Sequence, residues 1–258
     1  GLPVSIKARG ADIHHWGTAP GTAEQVISAG RAAQGLLAVS TGMAADMTAL
    51  GLPRERITVH RTGLDRTVFR PLDKAEARRK LGLPLDVPVL ATVGALISRK
   101  GQTHAIAALS RLPDAHLVLA GAGPDEASLR EQAASLGVAG RVHFLGPVPH
   151  GQLPEVYSAA DISVLPTASE GLANAWVEAL ACGTPVVTTD IPGARELITA
   201  PEHGRLVARD GTAIAQAVSA LLADLPSPDR VQQAAADYSW ETNAAQLVNH
   251  WRQLALAI

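Results

Sequence analysis

The sequence is short of the residues on which several specialised chemistries rely. It holds a single cysteine, Cys182, among 258 residues, which excludes an internal disulfide framework and a cysteine-ligated zinc site. Aromatic residues make up 3% of the chain, too few for the stacking platforms that bind single-stranded nucleic acid. Lys and Arg number 22 against 24 Asp and Glu, a formal net charge of −2, and a nucleic-acid binder with a large basic patch is not expected from that balance. No run of about eighteen apolar residues occurs, so nothing reads as a membrane-spanning helix. No basic stretch followed by an apolar core reads as a signal peptide either. A cytoplasmic protein is the expectation, and the start at Gly1, inside a strand-like segment, reads as a fragment or a processed end.

What is present is apolar: 47% of the residues are hydrophobic, ample for a buried core. The first part alternates strands and helices. Leu2–Ala8, Gly35–Val39 and Ile57–His60 read as strands. Thr22 to Gln25 reads as a capping box opening a helix to about Ala33. Ser40 reads as the N-cap of a second helix, stopped by Gly51 and Pro53. This βαβαβ arrangement is half of a doubly wound domain, and alone it leaves an edge and apolar faces uncovered. A second set of strands is expected at Val87–Val93, His116–Gly121, Arg141–Gly146, Ile162–Thr167, from Pro185, and Gly204–Ala208. Helices are expected between them and at 211–223, 227–236 and 241–257, the last carrying Leu247, Trp251 and Leu254 at helical spacing as a core stripe.

The chain is organised around Ser169–Asp190, SEGLANAWVEALACGTPVVTTD. A buried strand precedes it, a helix from about Ala173 to Cys182 fills it, and Gly183 stands where a helix C-terminus favours positive φ. Glu170 lies in the loop before the helix and Glu178 inside it, with seven residues between them. Glu170 is thereby placed at the C-terminal edge of a parallel sheet, where α/β proteins bind ligands. The N–H groups of Gly171, Leu172, Ala173 and Asn174 are offered to an anion.

The Glu-seven-Glu spacing and EALACGTPVV resemble the retaining glycosyltransferases of family four, the glycosyl transferases group 1, which have the GT-B fold. The fold expected is therefore α/β, with one Rossmann-like parallel-sheet domain and a partial second one. The resemblance implies a partial acceptor-side domain over 1–64, a donor-binding domain over 65–240, and a final helix, 241–258, crossing back to the first. The early part of the first domain is expected to be missing. Arg61–Asp65 with Phe69 and Pro71 looks like the family's interdomain segment, with Thr62 in place of the usual Asn and Gly63 keeping a flexible turn; an ordinary polar loop is the other reading.

The resemblance also assigns roles. Lys100, beyond a strand and just before a helix N-terminus, resembles the lysine that binds the donor diphosphate, with Arg99 as a second charge. Gly94 ends the strand, and Ala95 stands where many relatives carry Arg. Val148, in Pro147–Pro149, resembles the segment that meets the nucleobase. Glu178 is implied to accept from the ribose hydroxyls and Glu170 to orient the donor sugar, the reaction following an ion-pair, same-face path. Arg9 stands where many relatives carry a catalytic histidine; a contact to phosphate or acceptor and a structural salt bridge both remain open. Catalytic roles thus fall to Glu170, Lys100 and Arg9.

No HExxH or DxD occurs, the latter marking the metal-dependent alternative glycosyltransferase fold, and neither a metal nor a cofactor is implied. Gly121 and Gly123 make a weak dinucleotide look-alike, with Glu126 in place of the third glycine; in the family this turn lets backbone approach the nucleotide-sugar cleft. His143 and His150 read as lone structural histidines. The partners implied are a UDP- or GDP-linked sugar and a glycan, lipid or small-molecule acceptor, with peripheral association at the inner face of a membrane compatible with a lipid acceptor. A donor-binding fragment without turnover and a GT-B nucleotide-sugar epimerase are the alternatives.

Overall fold

The computed structural model describes residues 2–256, so the expectation attached to Gly1 and the end of the helix expected over 241–257 fall outside the described residues. The chain forms two compact units: one contains the residues up to Asp65, Ser169–Ala173 and those from Asp237 onward, the other Arg66–Ala168 and Asn174–Ala236.

The first unit carries β1 (Ser5–Ala8), α1 (Ala23–Ala32), β2 (Gly35–Ala38), α2 (Thr41–Ala49) and β3 (Ile57–Val59). The strands form a parallel sheet in the order β1-β2-β3. β2 is buried along its whole length because it takes a neighbour on each side. Ser40 caps α2 as expected, its Oγ accepting from the Met43 N–H at 3.0 Å, a contact of about 1 kcal/mol. Thr22 does not form the expected capping box. Its hydroxyl donates instead to the Trp16 carbonyl at 2.7 Å, because the π-helical turn Asp12–Trp16 ends just upstream and leaves carbonyls to satisfy. Ile6 of β1, with Leu2 and Val4 just before the strand, leaves apolar surface exposed.

The second unit carries α3 (Lys74–Lys80), β4 (Val89–Val93), α4 (Gln102–Leu109), β5 (His116–Ala120), α5 (Glu126–Ser135), β6 (Val142–Gly146), α6 (Leu153–Ala159), β7 (Ile162–Leu165), α7 (Asn174–Ala181), β8 (Val186–Thr189), α8 (Pro192–Arg195), β9 (Gly204–Val207), α9 (Gly211–Ala223) and α10 (Pro228–Gln232). All six strands are parallel, in the order β6-β5-β4-β7-β8-β9. The chain winds outward from β4 to β6, then returns to place β7 on the other side of β4. That reversal is the switch point at which doubly wound sheets open a crevice.

Leu90, Leu117, Leu119, Ile162, Val164 and Val187 fill the middle of this unit against Ile106 of α4 and Ile214 of α9. One buried ionic group ties α3 to the sheet: Arg78 donates to Asp161 Oδ2 at 2.7 Å and to the Ala159, Leu85 and Val87 carbonyls. The same Asp161 accepts from Lys74 and from the Val89 N–H. Every Arg78 nitrogen thus finds an acceptor, the condition for burying a guanidinium.

The last helix, α11 (Trp240–Leu256), belongs to the first unit. Of the expected stripe, Leu247 and Leu254 are half-buried, but Trp251 is not on the buried face. Trp251 is 54% exposed, whereas His250 is 4% exposed and is the helix's one buried residue among those described. Asn243, Leu247, His250 and Leu254 share the inward face at helical spacing, and Trp251 stands about 100° round from His250. The face is partly polar because it docks by hydrogen bonds. His250 bonds to Ser5 Oγ at 2.8 Å and Thr58 Oγ1 at 3.2 Å. Asn243 donates to the Arg61 carbonyl at 2.6 Å. A Cβ on Gly35 would lie 2.6 Å from His250 Nε2, so that glycine makes room for the ring. Gly63, expected as a flexible turn, is not in the positive-φ region. It is glycine because the Trp240 ring lies on its Cα. Among the described residues no helix is long and apolar enough to cross a membrane.

His60 joins the same docking surface, with Nδ1 2.9 Å from Lys7 Nζ and Nε2 3.0 Å from the Asn243 carbonyl. The carbonyl only accepts, so Nε2 carries the proton and Nδ1 accepts from lysine. Burial, with the nearby lysine charge adding, holds His60 below its ordinary range against the Asn243 carbonyl, which raises it. Burial and His60 do the same to His250. Both therefore keep the neutral form to lower pH in the fold than in the unfolded chain, which takes up their protons first as pH falls through about 6.5. The expected outcome is a melting midpoint that drops on acidification from about pH 7 to about pH 5, with a shallower drop in a His60→Gln/His250→Gln double variant followed by circular dichroism.

Candidate functional site

In the second unit the expected site residues leave the C-terminal ends of β4, β6 and β7. After β4 the chain runs through Gly94, at φ +146°, into the short 3-10 turn Ser98–Lys100 and then Gly101, at φ +79°. The turn is fastened from three sides. Gln102 donates to the Ala95 carbonyl at 2.9 Å. Arg209 donates to the Ser98 carbonyl at 2.6 Å and to the Pro166 carbonyl at 2.8 Å. The Arg99 carbonyl accepts from the Ala168 N–H at 2.8 Å, joining the loops that follow β4 and β7. The Lys100 side chain passes over Gly94, where a Cβ would lie 3.8 Å from Lys100 Cε.

The neighbouring glycines have a nearer cause than a ligand. A Cβ on Gly121 would overlap the Gly94 carbonyl oxygen, and one on Gly123 the Leu96 carbonyl. These two glycines let the loop after β5 pack directly on the loop after β4. Val148, in the loop after β6, is half-buried.

Glu178 projects from α7, which buries every residue from Trp176 to Ala181. A carboxylate so placed needs partners, and it has two. Tyr157 Oη donates to Oε2 at 2.8 Å, and His150 Nε2 lies 3.0 Å from Oε1. Burial and the Glu178 charge push the Tyr157 phenol well above its usual range, so it remains a donor. The same two causes push the Cys182 thiol up, which makes this buried cysteine inert. His150 also meets the Phe69 ring at 4.9 Å between centroids. His150 is therefore not a lone histidine, and neither is His143, whose Nε2 lies 2.9 Å from His116 Nδ1.

Arg9, Glu170, Gly171, Leu172 and Ala173 belong to the first unit. Gly171 is buried against it: a Cβ there would lie 2.6 Å from Met43 Cε, 2.8 Å from the Arg9 carbonyl oxygen and 2.9 Å from Val39 Cγ2. Only glycine permits that approach of two backbones. Glu170 is half-buried, and Asn174, which begins α7 in the second unit, is exposed. The Glu-seven-Glu motif therefore has its first carboxylate in one unit and its second in the other. The Arg9 and Gly10 N–H groups both donate to the Asp12 carboxylate. Among the described residues the Arg9 guanidinium makes no ion pair, so the salt-bridge reading of Arg9 is not what the structure holds. Asp46 on α2 steadies the turn that follows through His14, at 2.8 Å.

Tyr157 and His150 were not legible as site residues. The available signal was Tyr157 itself, one of only two tyrosines, on a helix that buries every residue but Glu155, where a phenol requires an acceptor. No cluster of three or more His, Cys, Asp or Glu that could hold a metal is found among the described residues.

Comparison with known proteins bears on this arrangement. The profile of the glycosyl transferases group 1 family matches residues 73–238. The D-inositol 3-phosphate glycosyltransferase of Corynebacterium urealyticum is 37% identical over 220 residues, covering 78% of this chain and 52% of its own length. The chain spans about half the length of the curated relatives it matches. Among solved structures, sucrose-phosphate synthase from Thermosynechococcus elongatus superposes with a TM-score of 0.82 at 26% identity, covering 98% of this chain and 68% of the other. Anabaena Alr3699/HepE, in complex with UDP, superposes with a TM-score of 0.87 at 24% identity over 97% of this chain and 72% of its own.

The turn bearing Lys100 depends on Gly101, whose φ suits glycine and whose added Cβ would overlap the Pro166 carbonyl oxygen. Gly101→Ala is expected to cost about 3 kcal/mol or more, since backbone strain and overlap act together. A urea melt of the two proteins checks this; a loss below about 1 kcal/mol would contradict it.

Proposed function

Because the chain belongs to the glycosyl transferases group 1, we propose that it serves transfer of a sugar from a nucleoside-diphosphate sugar to an acceptor hydroxyl, with retention and without a metal. The observation that carries the reading is Glu178, a buried carboxylate on α7 in the part of the chain that the family profile covers. In this reading Glu178 accepts from the ribose hydroxyls of a UDP- or GDP-linked donor. UDP in the HepE complex supports the uridine form for that neighbour. The loop residues Gly94, Arg99 and Lys100 take the diphosphate, and Val148 lies along the base.

As the glycosidic bond breaks, negative charge grows on the diphosphate oxygens. Lys100, Arg99 and the N–H groups of Gly171, Leu172, Ala173 and Asn174 offset that charge with fixed donors. Glu170 orients the donor sugar, and Arg9 reaches the phosphate or the acceptor. The acceptor is a glycan, a lipid or a small molecule, and a lipid acceptor places the protein at the cytoplasmic face of a membrane. Nucleotide-sugar binding without turnover is a second reading, favoured by the placement of the family match on residues 73–238.

Calorimetric titration with UDP and with GDP tests the reading. One nucleotide is expected to bind, and Glu178→Ala is expected to weaken it by about 10²-fold, the worth of hydrogen bonds to a charged group. Lys100→Ala is expected to lower donor-sugar turnover by about 10²–10³; binding without measurable turnover in the parent protein selects the second reading. Absence of binding to either nucleotide, by a protein that melts cooperatively, would overturn both.

A further inference from the structure

The two partners of Glu178 differ in kind. Tyr157 is 0% exposed, and its own carbonyl is fixed by the Thr184 hydroxyl at 2.8 Å. It stands on a helix that buries every residue but Glu155, so its hydroxyl cannot leave Oε2 without unpacking α6. The His150 side chain is 69% exposed while that of Glu178 is 6% exposed. His150 follows the loop Pro147–Pro149, and it rests on Glu178 Oε1 through one ring nitrogen and on the Phe69 ring through a tilted contact. An exposed side chain holding a buried oxygen costs little to swing out, provided another donor takes its place; an empty place would leave Oε1 unsatisfied.

We propose that Glu178 is a half-locked carboxylate, in which Tyr157 is a positioning residue that permanently holds Oε2 and His150 is a placeholder on Oε1 that the ligand's ribose hydroxyls displace. This rests on the donor-site reading of Glu178 and adds to it which oxygen receives the ligand and what must move first. The lock fixes the carboxylate plane, so that Oε1 faces the exposed side without a rotamer search. A supporting shell of this kind is what gives a binding group its precision. The placeholder keeps Oε1 satisfied in the empty site and competes with the ligand by the strength of one hydrogen bond.

The two roles predict effects of opposite sign. The experiment is calorimetry on the parent protein, Tyr157→Phe and His150→Ala, using UDP or GDP, whichever binds, and its 2′,3′-dideoxy form. The parent is expected to prefer the ribose form. Tyr157→Phe is expected to weaken the ribose form by about tenfold, the scale of one hydrogen bond to a charged group, and to shrink the ratio of ribose to dideoxy affinity. A merely structural loss would lower both affinities and leave that ratio unchanged. His150→Ala is expected to bind the ribose form at least as tightly as the parent, with the gain confined to the ribose form.

A Tyr157→Phe protein with the parent's ratio overturns the lock, and a His150→Ala protein about tenfold weaker for the ribose form overturns the placeholder. Should Tyr157→Phe fail to fold, the sign of the His150→Ala effect decides the proposal. A parent that binds neither nucleotide removes the donor-site reading and this one with it, whereas a parent whose binding is lost in Glu178→Ala but untouched in Tyr157→Phe removes this one alone.

Discussion

All six strands of the second unit run the same way, and the placement of the candidate site residues on this unit follows from that single constraint. Parallel strands need a crossover for each connection, so the sheet must be covered on both faces, and every loop that leaves a strand's C-terminus collects on one edge. The order β6-β5-β4-β7-β8-β9 puts the reversal between β4 and β7. The loop bearing Arg99 and Lys100 leaves the first of these strands, and the chain that leads to Glu170 leaves the second. The Ala168 N–H to Arg99 carbonyl bond joins the two loops directly. At that edge backbone meets backbone closely enough that Gly101, Gly121 and Gly123 have no room for a Cβ. The glycines are thus a consequence of loop-on-loop packing.

Burial then sets the chemistry. α7 is apolar on every inward position except Glu178, and the helix pays for that carboxylate with a tyrosine hydroxyl drawn from α6. The same logic operates at Arg78 and Asp161 beneath the sheet, where each charged atom is met by a carbonyl, an N–H or its counter-charge. It operates again in the first unit, where His250 and Asn243 of α11 meet Ser5, Thr58, His60 and the Arg61 carbonyl, while Trp251 stays exposed. In all three places a polar group is buried only because its partner is buried with it. The difference at Glu178 is that one of its two partners, His150, is exposed.

Local chemistry made the elements legible in the sequence, and tertiary chemistry hid the rest. α9 falls on Gly211–Ala223 as read, Ser40 caps its helix, and Gly183 takes φ +77° after α7. Each of these depends on residues within four positions of one another. Thr22 failed as a cap because Trp16, six residues upstream, offered its carbonyl. In the α11 stripe Trp251 was misplaced and His250 missed because spacing alone treats tryptophan as core, while the partners of His250, Ser5 and Thr58, are 245 and 192 residues away. Strand order was equally out of reach, since an apolar run specifies a buried strand without naming its neighbours.

The same distinction explains what could be read of the site. Glu170 and Glu178 stand out because seven residues separate them in one short stretch, and Lys100 because it sits between a strand end and a glycine that opens a helix. Tyr157 and His150 do not, because nothing within their own segments shows that they meet a carboxylate 21 and 28 residues further on. Yet a carboxylate on a helix with no other polar inward position already demands donors. The demand is visible in NAWVEALA, and only the supplier is not. A buried acid in an apolar helix is therefore a prompt to search the rest of the chain for a buried hydroxyl, and here the search has little to consider: of the two tyrosines, Tyr157 lies in the same compact unit as Glu178 and Tyr238 lies in the other.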